Sequence, residues 1–416
     1  MGYRALAVAI LAISFFTFVA FFGRLPGLRR TPIGLLHRVI WVYIPNGLRG
    51  VDKSISGGRI SRSFQRGYQK LLFEKHPIVL IFFLSLITAC AGLFLPAAWQ
   101  YLPIYHKLGI VVLLPLPYIF TRLCNITNAS SPHIVNHTNV INNLTQYPYD
   151  YKLFHPNNIC RTCDLPKPAR SKHCSLCRAC VARADHHCIW VNNCLGRGNY
   201  KYFLSLLLST SILLAYGAYL AYVTLKPQVA ENIRQYPEWH VLEYANRTDY
   251  TGRMLCFGEW VLDVLATAFM LGGVSLGGVG FLAFLTAPLP AGLLSYHVYL
   301  IWAGMTTNES GKWGDWKEDM ADGLCFITDF DTRDSWSYPS LDNNHYHPDV
   351  WKAGGWPKRS GQFLVLTGDG QHPRNLQQSI KDVVGDAEWR RVWNLKEVEN
   401  VYDLGWWENA KDLLTN

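Results

Sequence analysis

Charge is scarce in this chain. Asp, Glu, Lys and Arg make up 17% of its 416 residues, against about 25% in an ordinary soluble domain. The deficit lies in long apolar runs, which excludes a single water-soluble globule. No internal repeat is visible, so no repeat architecture enters the reading. The run "RALAVAILAISFFTFVAFFG", Arg4 to Gly23, holds no charge after Arg4. It is longer than a signal-peptide core, and no small-residue cleavage site clearly follows, so a retained span is expected. Residues 305–416 lack any run of that length and read as a small soluble module.

What is present are further apolar runs at Pro77–Trp99, Gly109–Phe120, Tyr202–Leu225 and about Val264–Trp302. A span needs about 20 predominantly apolar residues. The expected fold is therefore an all-α polytopic membrane protein with about five transmembrane helices. They are placed at about 4–23, 77–98, 106–122 and 202–225, with one net crossing within 264–302. The glycines from Gly272 to Gly280, then Pro288 and Pro290, mark that last block as broken. Positive-inside counting sets the orientation. Residues 24–76 hold eleven Lys or Arg and only Asp52 and Glu74 as acids, so this basic loop is expected in the cytosol. Residues 226–263 hold four basic and six acidic residues and are expected in the lumen.

The domain order then reads 1–123 N-terminal spans, 124–157 Asn-rich flexible linker, 158–201 cysteine-rich domain, 202–304 C-terminal spans, 305–416 cytosolic module. The linker carries N-x-S/T matches at Asn125, Asn128, Asn136 and Asn143. An Asn-rich stretch produces these by chance, and Asn246 in the lumenal loop is the better acceptor.

Seven of the eleven cysteines fall between Cys160 and Cys194. Cys160 and Cys163 form one C-x2-C pair, and Cys174 and Cys177 another. His173, Cys180, His186, His187, Cys188 and Cys194 complete the group. Such spacing lets a tight turn aim two thiolates at one ion, and a histidine completes a tetrahedron. A reducing cytosolic location argues against disulfides. Two Cys3His sites use six cysteines and two histidines, so one Cys and one His are left over. A free Cys beside a free His is the minimal activated thiol nucleophile. Spacing alone leaves open which pair is free.

The stretch 160–204 resembles the cysteine-rich domain of the DHHC protein S-acyltransferases. The match includes "KPAR" (Lys167–Arg170), His173–Cys174, "DHHC" (Asp185–Cys188), "NNC" to Cys194 and "GRGNY" to Tyr200. Ile189 departs from the family, which usually has proline there. The resemblance implies one structural zinc on Cys160, Cys163, His173 and Cys180, and another on Cys174, Cys177, His187 and Cys194. It implies Cys188 as nucleophile, His186 as its base and Asp185 as the group orienting His186. Acyl-CoA, palmitoyl-CoA in particular, is the implied co-substrate in a two-step, ping-pong transfer. Basic Lys172, Arg178, Arg183, Arg197 and Lys201 can meet CoA phosphates or lipid headgroups, or simply follow the positive-inside rule.

"TTNE" resembles the family's TTxE motif, which makes Thr306, Thr307 and Glu309 supporting residues. "ENVYDLG" resembles its C-terminal motif, with Asn400 and Tyr402 expected to pack against the spans. The layout resembles a fungal endoplasmic-reticulum subfamily acting on SNAREs. The implied partners are acyl-CoA, the lipid bilayer and membrane proteins with juxtamembrane cysteines, SNAREs among them, with no nucleic acid. The competing reading is a catalytically silent zinc-organised membrane adaptor.

Overall fold

The computed structural model describes residues 31–63, 74–126, 133–156, 158–236, 250–330, 356–374 and 387–415, with a few isolated positions besides. Most of the expected 4–23 span, Asn128 and Asn246 lie outside the described residues. The chain divides into two compact units, Met1–His76 with His240–Thr267, and Pro77–Trp239 with Ala268–Asn416.

In the first unit, α1 (Pro32–Arg38) passes through a π-helical turn, Val39–Tyr43, into α2 (Ile44–Ser56). Pro32 opens α1, where its missing N–H is not needed, whereas Pro45 sits where the π-turn runs directly into α2. Gly57, with φ +65°, ends α2 in the left-handed conformation that glycine adopts at least cost.

The second unit is built on apolar helices. α3 (Ile78–Ala98) is followed by α4 (Ile104–Leu113) and α5 (Leu116–Asn125). The break falls at Pro115, whose ring cannot donate to the helix ladder. After the short α6 (Val140–Leu144) comes α7 (Tyr200–Gln235), which runs ten residues past the apolar stretch that ends at Leu225. α8 (Tyr250–Gly273) starts in the other unit, and its end leads to α9 (Val279–Thr286) and α10 (Pro288–Trp302). α9 and α10 pack along α7. Four segments among the described residues are long and apolar enough to cross a membrane: Ile78–Tyr101, Ile104–Asn125, Tyr200–Gln235 and Tyr250–Trp302. Within the last, the Phe269 and Phe281 rings sit 5.5 Å apart. Twelve residues of unbroken helix would separate them by about 18 Å. The chain therefore folds back at Gly273 (φ +56°), and Val279–Trp302 alone is long enough for one crossing.

Small antiparallel sheets occupy the polar part. β1 (Ile134–Val135), β2 (Lys172–Cys174) and β3 (Ala179–Val181) form a sheet in the order β1-β3-β2. β4 (His187–Cys188) pairs with β5 (Asn193–Cys194). After α11 (Thr307–Ala321), β6 (Cys325–Asp329), β7 (Gln362–Leu366) and β8 (Arg390–Arg391) form a sheet in the order β7-β6-β8. The last described element, α12 (Trp406–Thr415), packs on α7 and α10.

The flexible linker expected over 124–157 is corrected. Residues 133–156 are ordered, and Val135, Val140, Leu144, Tyr147, Tyr149, Tyr151 and Phe154 join one core with Phe363 and Tyr402. The asparagines build turns instead of remaining solvated. The Asn136 side chain accepts from the Thr138 and Asn139 backbones, and Asn139 donates to the Ile134 carbonyl. Asparagine mimics backbone turns in this way, so a composition that looked featureless carries folded structure. Asn143 is 3% exposed, which leaves no room for a glycan there.

Candidate active site and metal centres

Each metal centre begins with a C-x2-C turn. Asp164 and Arg178 directly follow Cys163 and Cys177, and both have φ +52°. A left-handed residue at that point turns the chain away while both sulfurs face inward. His173 and His187 approach from β2 and β4. The His173 Nδ1 atom lies 3.4, 3.3 and 3.8 Å from the sulfurs of Cys160, Cys163 and Cys180. The His187 Nδ1 atom lies 3.8, 3.4 and 3.6 Å from those of Cys174, Cys177 and Cys194. Zinc bonds of about 2.3 Å to sulfur and 2.0–2.1 Å to nitrogen give a tetrahedral edge of about 3.6 Å. Both sets of donors fit zinc, and both are closed with four protein ligands.

Strand geometry separates the neighbouring histidines. In β4, His187 pairs with Cys194 and Cys188 with Asn193. Successive side chains on a strand point to opposite faces. His187 therefore faces the metal centre, while His186 and Cys188 share the other face. The His186 carbonyl accepts from Leu195, and the Leu195 carbonyl from Asp185, so the ladder extends to Asp185.

The Asp185 carboxylate is 2.6 Å from His186 Nδ1. The Thr307 backbone N–H and hydroxyl donate to it at 2.8 and 2.9 Å. Burial pushes the Asp185 carboxyl up, but the hydrogen bonds from His186 and Thr307 outweigh it and hold the group below its ordinary value. For His186, burial acts to lower the pKa, while Asp185 and Cys188 raise it to about 9. Both partners thus favour a proton on the imidazole. Nδ1 is committed to Asp185, so Nε2 is left for the thiol.

The "TTNE" residues form the start of α11. Thr306 and Glu309 cap each other, Glu309 N–H donating to Thr306 Oγ1 and Thr306 N–H to Glu309 Oε2. This capping box presents Thr307 to Asp185. Glu309 also receives Arg170 at 2.7 and 2.6 Å, with both side chains 1% exposed. The guanidinium is flanked by the Tyr147 and Tyr402 rings at 5.0 and 4.6 Å. Asn400 donates to the Ala303 carbonyl at 3.1 Å, and the Tyr402 hydroxyl to the Pro148 carbonyl at 2.8 Å. The C-terminal motif thus clasps the end of α10 and the 147–154 segment.

Two residues were not read from the sequence as part of this site. His297 on α10 is 1% exposed and stacks on His186, with ring centroids 5.8 Å apart. Its Nδ1 is 2.7 Å from the Tyr200 hydroxyl. Phe203 meets both imidazoles edge-on, at 5.6 and 5.2 Å. The available signal was a lone histidine within an apolar run, since an ionisable side chain at such depth is costly and marks function. Tyr200→Phe removes one hydrogen bond from this stack, typically worth about 1 kcal/mol. A loss of up to about tenfold in the rate of Cys188 acylation is expected, with zinc content unchanged. His297→Phe should lose as much or more in the same single-turnover assay. A rate equal to that of the unsubstituted protein in both variants would remove His297 from the site.

Below Cys188 lies a cavity of about 420 Å³. Its lining is almost wholly apolar and includes Phe83, Phe94, Trp190, Phe203, Tyr216 and Leu293. It follows α7 from Phe203 to Leu220, a rise of about 25 Å. Three of the five basic residues named above are engaged within the chain. Arg183 pairs with Asp412 at 3.4 Å, Arg197 donates to Asn143 at 3.3 Å, and Lys201 donates to the Leu414 carbonyl at 3.2 Å.

The chain was compared with known proteins. The profile of the family described as DHHC palmitoyltransferase matches residues 153–314. A protein named Palmitoyltransferase SWF1 from Neurospora crassa is 42% identical, over 98% of this chain and 91% of its own length. Palmitoyltransferase swf1 of Emericella nidulans is also 42% identical, over 99% of this chain and 97% of its own. Palmitoyltransferase ZDHHC4 of Rattus norvegicus is 36% identical over 61% of this chain and 72% of its own.

Proposed function

The chain belongs to the DHHC palmitoyltransferase family and is a membrane-embedded protein S-palmitoyltransferase that uses acyl-CoA, and on that premise we propose which residues carry the reaction and where it takes place. Cys188 Sγ attacks the thioester carbonyl as His186 Nε2 takes its proton. The carbonyl re-forms, the carbon–sulfur bond to CoA breaks, and His186 returns the proton to the departing thiolate. In the second step an acceptor cysteine gives its proton to His186 and takes the acyl group, and Cys188 recovers the proton as it leaves. Asp185 keeps His186 in the tautomer this requires, and Thr307 holds Asp185. Bound zinc serves as a structural frame. Cys160, Cys163, His173 and Cys180 would hold one ion, and Cys174, Cys177, His187 and Cys194 the other. The observation that carries this assignment is the line from Thr307 through Asp185 to His186, ending at a cysteine that opens on the apolar cavity.

The cavity suits the acyl chain, which gains about 0.8 kcal/mol per CH2 moved out of water, while the CoA head stays in solvent. The Lys/Arg count supports a cytosolic zinc domain and C-terminus. The acceptors proposed are cysteines near the cytosolic ends of transmembrane segments, SNAREs being the class suggested by the layout, and the membrane proposed is the endoplasmic reticulum. Incubation of the zinc-loaded protein with labelled palmitoyl-CoA should leave hydroxylamine-sensitive label on Cys188, and Cys188→Ser should carry none. Label elsewhere, or transfer retained by Cys188→Ser, would overturn the assignment. A tag at residue 416 should be open to protease in sealed microsomes, and protection of the tag would reverse the orientation.

A further inference from the structure

α2 exposes an apolar stripe that no mechanism above uses. Ile44, Leu48, Val51 and Ile55 are 51%, 65%, 55% and 80% exposed. At about 100° per residue their side chains fall within a sector of roughly 60°. Arg49 and Lys53 lie on the opposite side of the same helix, both exposed. Leu35 and Trp41, 52% and 41% exposed, are further apolar side chains open to the surroundings in α1 and the π-turn. Asp52 is the only acid between residues 31 and 63, and its carboxylate is occupied by the Ser61 N–H at 2.7 Å and by Ser56. The helix therefore shows water a narrow apolar edge and a positive back, with no exposed negative charge.

A soluble partner with an apolar groove would cover the edge but gain nothing from the basic back. A bilayer surface accommodates both, with apolar residues at the acyl boundary and Lys or Arg among phosphates. The rest of the chain already crosses a membrane, so no separate encounter is needed. The cytosolic leaflet is the negatively charged one, which matches the side expected for the basic loop from its Lys and Arg count. We propose that residues 32–56 lie in the plane of the membrane as an interfacial helix on an anionic leaflet. Ile44, Leu48, Val51 and Ile55 are immersed, and Arg38, Arg49, Lys53 and Arg59 meet headgroup phosphates. The helix thereby makes the N-terminal loop a sensor of anionic lipid.

The test is hydrogen–deuterium exchange over residues 32–56 of the full chain in nanodiscs. One set holds phosphatidylcholine alone, the other phosphatidylcholine with phosphatidylserine. Both faces of a disc carry the same lipid, so the result does not depend on orientation. Slower exchange is expected with phosphatidylserine, and the difference should shrink at high salt. Leu48→Glu with Ile55→Glu should remove the protection in both lipids. Arg49→Glu with Lys53→Glu should remove only the part that depends on phosphatidylserine, about fivefold or more per residue. Exchange indifferent to lipid charge would overturn the proposal. So would protection that rises with the number of chains per disc, which marks a second copy as the occupant, or protection that needs another membrane protein. Acylation of Cys188 in the same samples reports separately on the catalytic assignment and on the integrity of each variant.

Discussion

His187→Ala will release zinc from the chain, whereas His186→Ala will keep both metal centres and lose acyl transfer. The two residues are neighbours of one type, yet β4 sends them to opposite faces. His187 closes a tetrahedron with Cys174, Cys177 and Cys194. Structural zinc contributes on the order of 10–16 kcal/mol to folding in small zinc modules. Removing one of four ligands should therefore unfold the β4–β5 hairpin that carries Cys188. His186 belongs to neither Cys3His set, and its imidazole lies between Asp185 and the thiol. A positioned general base contributes typically 10²–10⁴-fold, so the acylation rate should fall by about that factor in a protein that still binds zinc. The measurements are metal content by mass spectrometry and single-turnover acylation from palmitoyl-CoA. Equal zinc loss in both variants would refute the division of roles.

Glu309→Ala should be the change outside the metal centres that costs the most stability. It leaves the Arg170 guanidinium 1% exposed without its carboxylate, and removing one partner of a buried pair costs about 3–5 kcal/mol. It also breaks the capping box that presents Thr307 to Asp185, so activity should fall with stability. Glu309→Met combined with Arg170→Met should recover much of the stability, because apolar residues can fill such a site without a desolvation penalty. The double variant should not regain full activity, since the cap on α11 is still missing. Thermal unfolding in detergent and acylation at a permissive temperature separate the two effects. Unchanged thermal stability in Glu309→Ala would show that the pair does not secure this junction.

Much of the site was legible because its chemistry is local. The C-x2-C pairs and the ligand count came from spacing within 35 residues, and the surplus Cys and His followed from the count alone. The assignment of each residue to a metal or to the reaction needed the family resemblance, and strand alternation in β4 explains it. The long-range members were harder to see. Arg170 meets Glu309 across 139 positions of sequence, and Tyr200 meets His297 across 97. Neither pair has a periodic signature. The 133–156 segment shows no local fold signal for a related reason, since its buried tyrosines acquire partners only once Phe363 and Tyr402 are in place.

By itself the sequence determined the membrane class, the approximate positions of the apolar helices from Pro77 onward, the candidate metal ligands as a group and the surplus thiol. These follow from properties of single segments, namely hydropathy over about 20 residues and ligand spacing within a turn. The tertiary structure alone decided that Thr307 holds Asp185, that His297 stacks on His186, that Arg170 and Glu309 pair in the dark between two tyrosines, and that Cys188 opens on an apolar cavity. Each of these joins groups far apart in the chain. The energy that brings them together is burial and pairing in a packed interior, which no local pattern encodes.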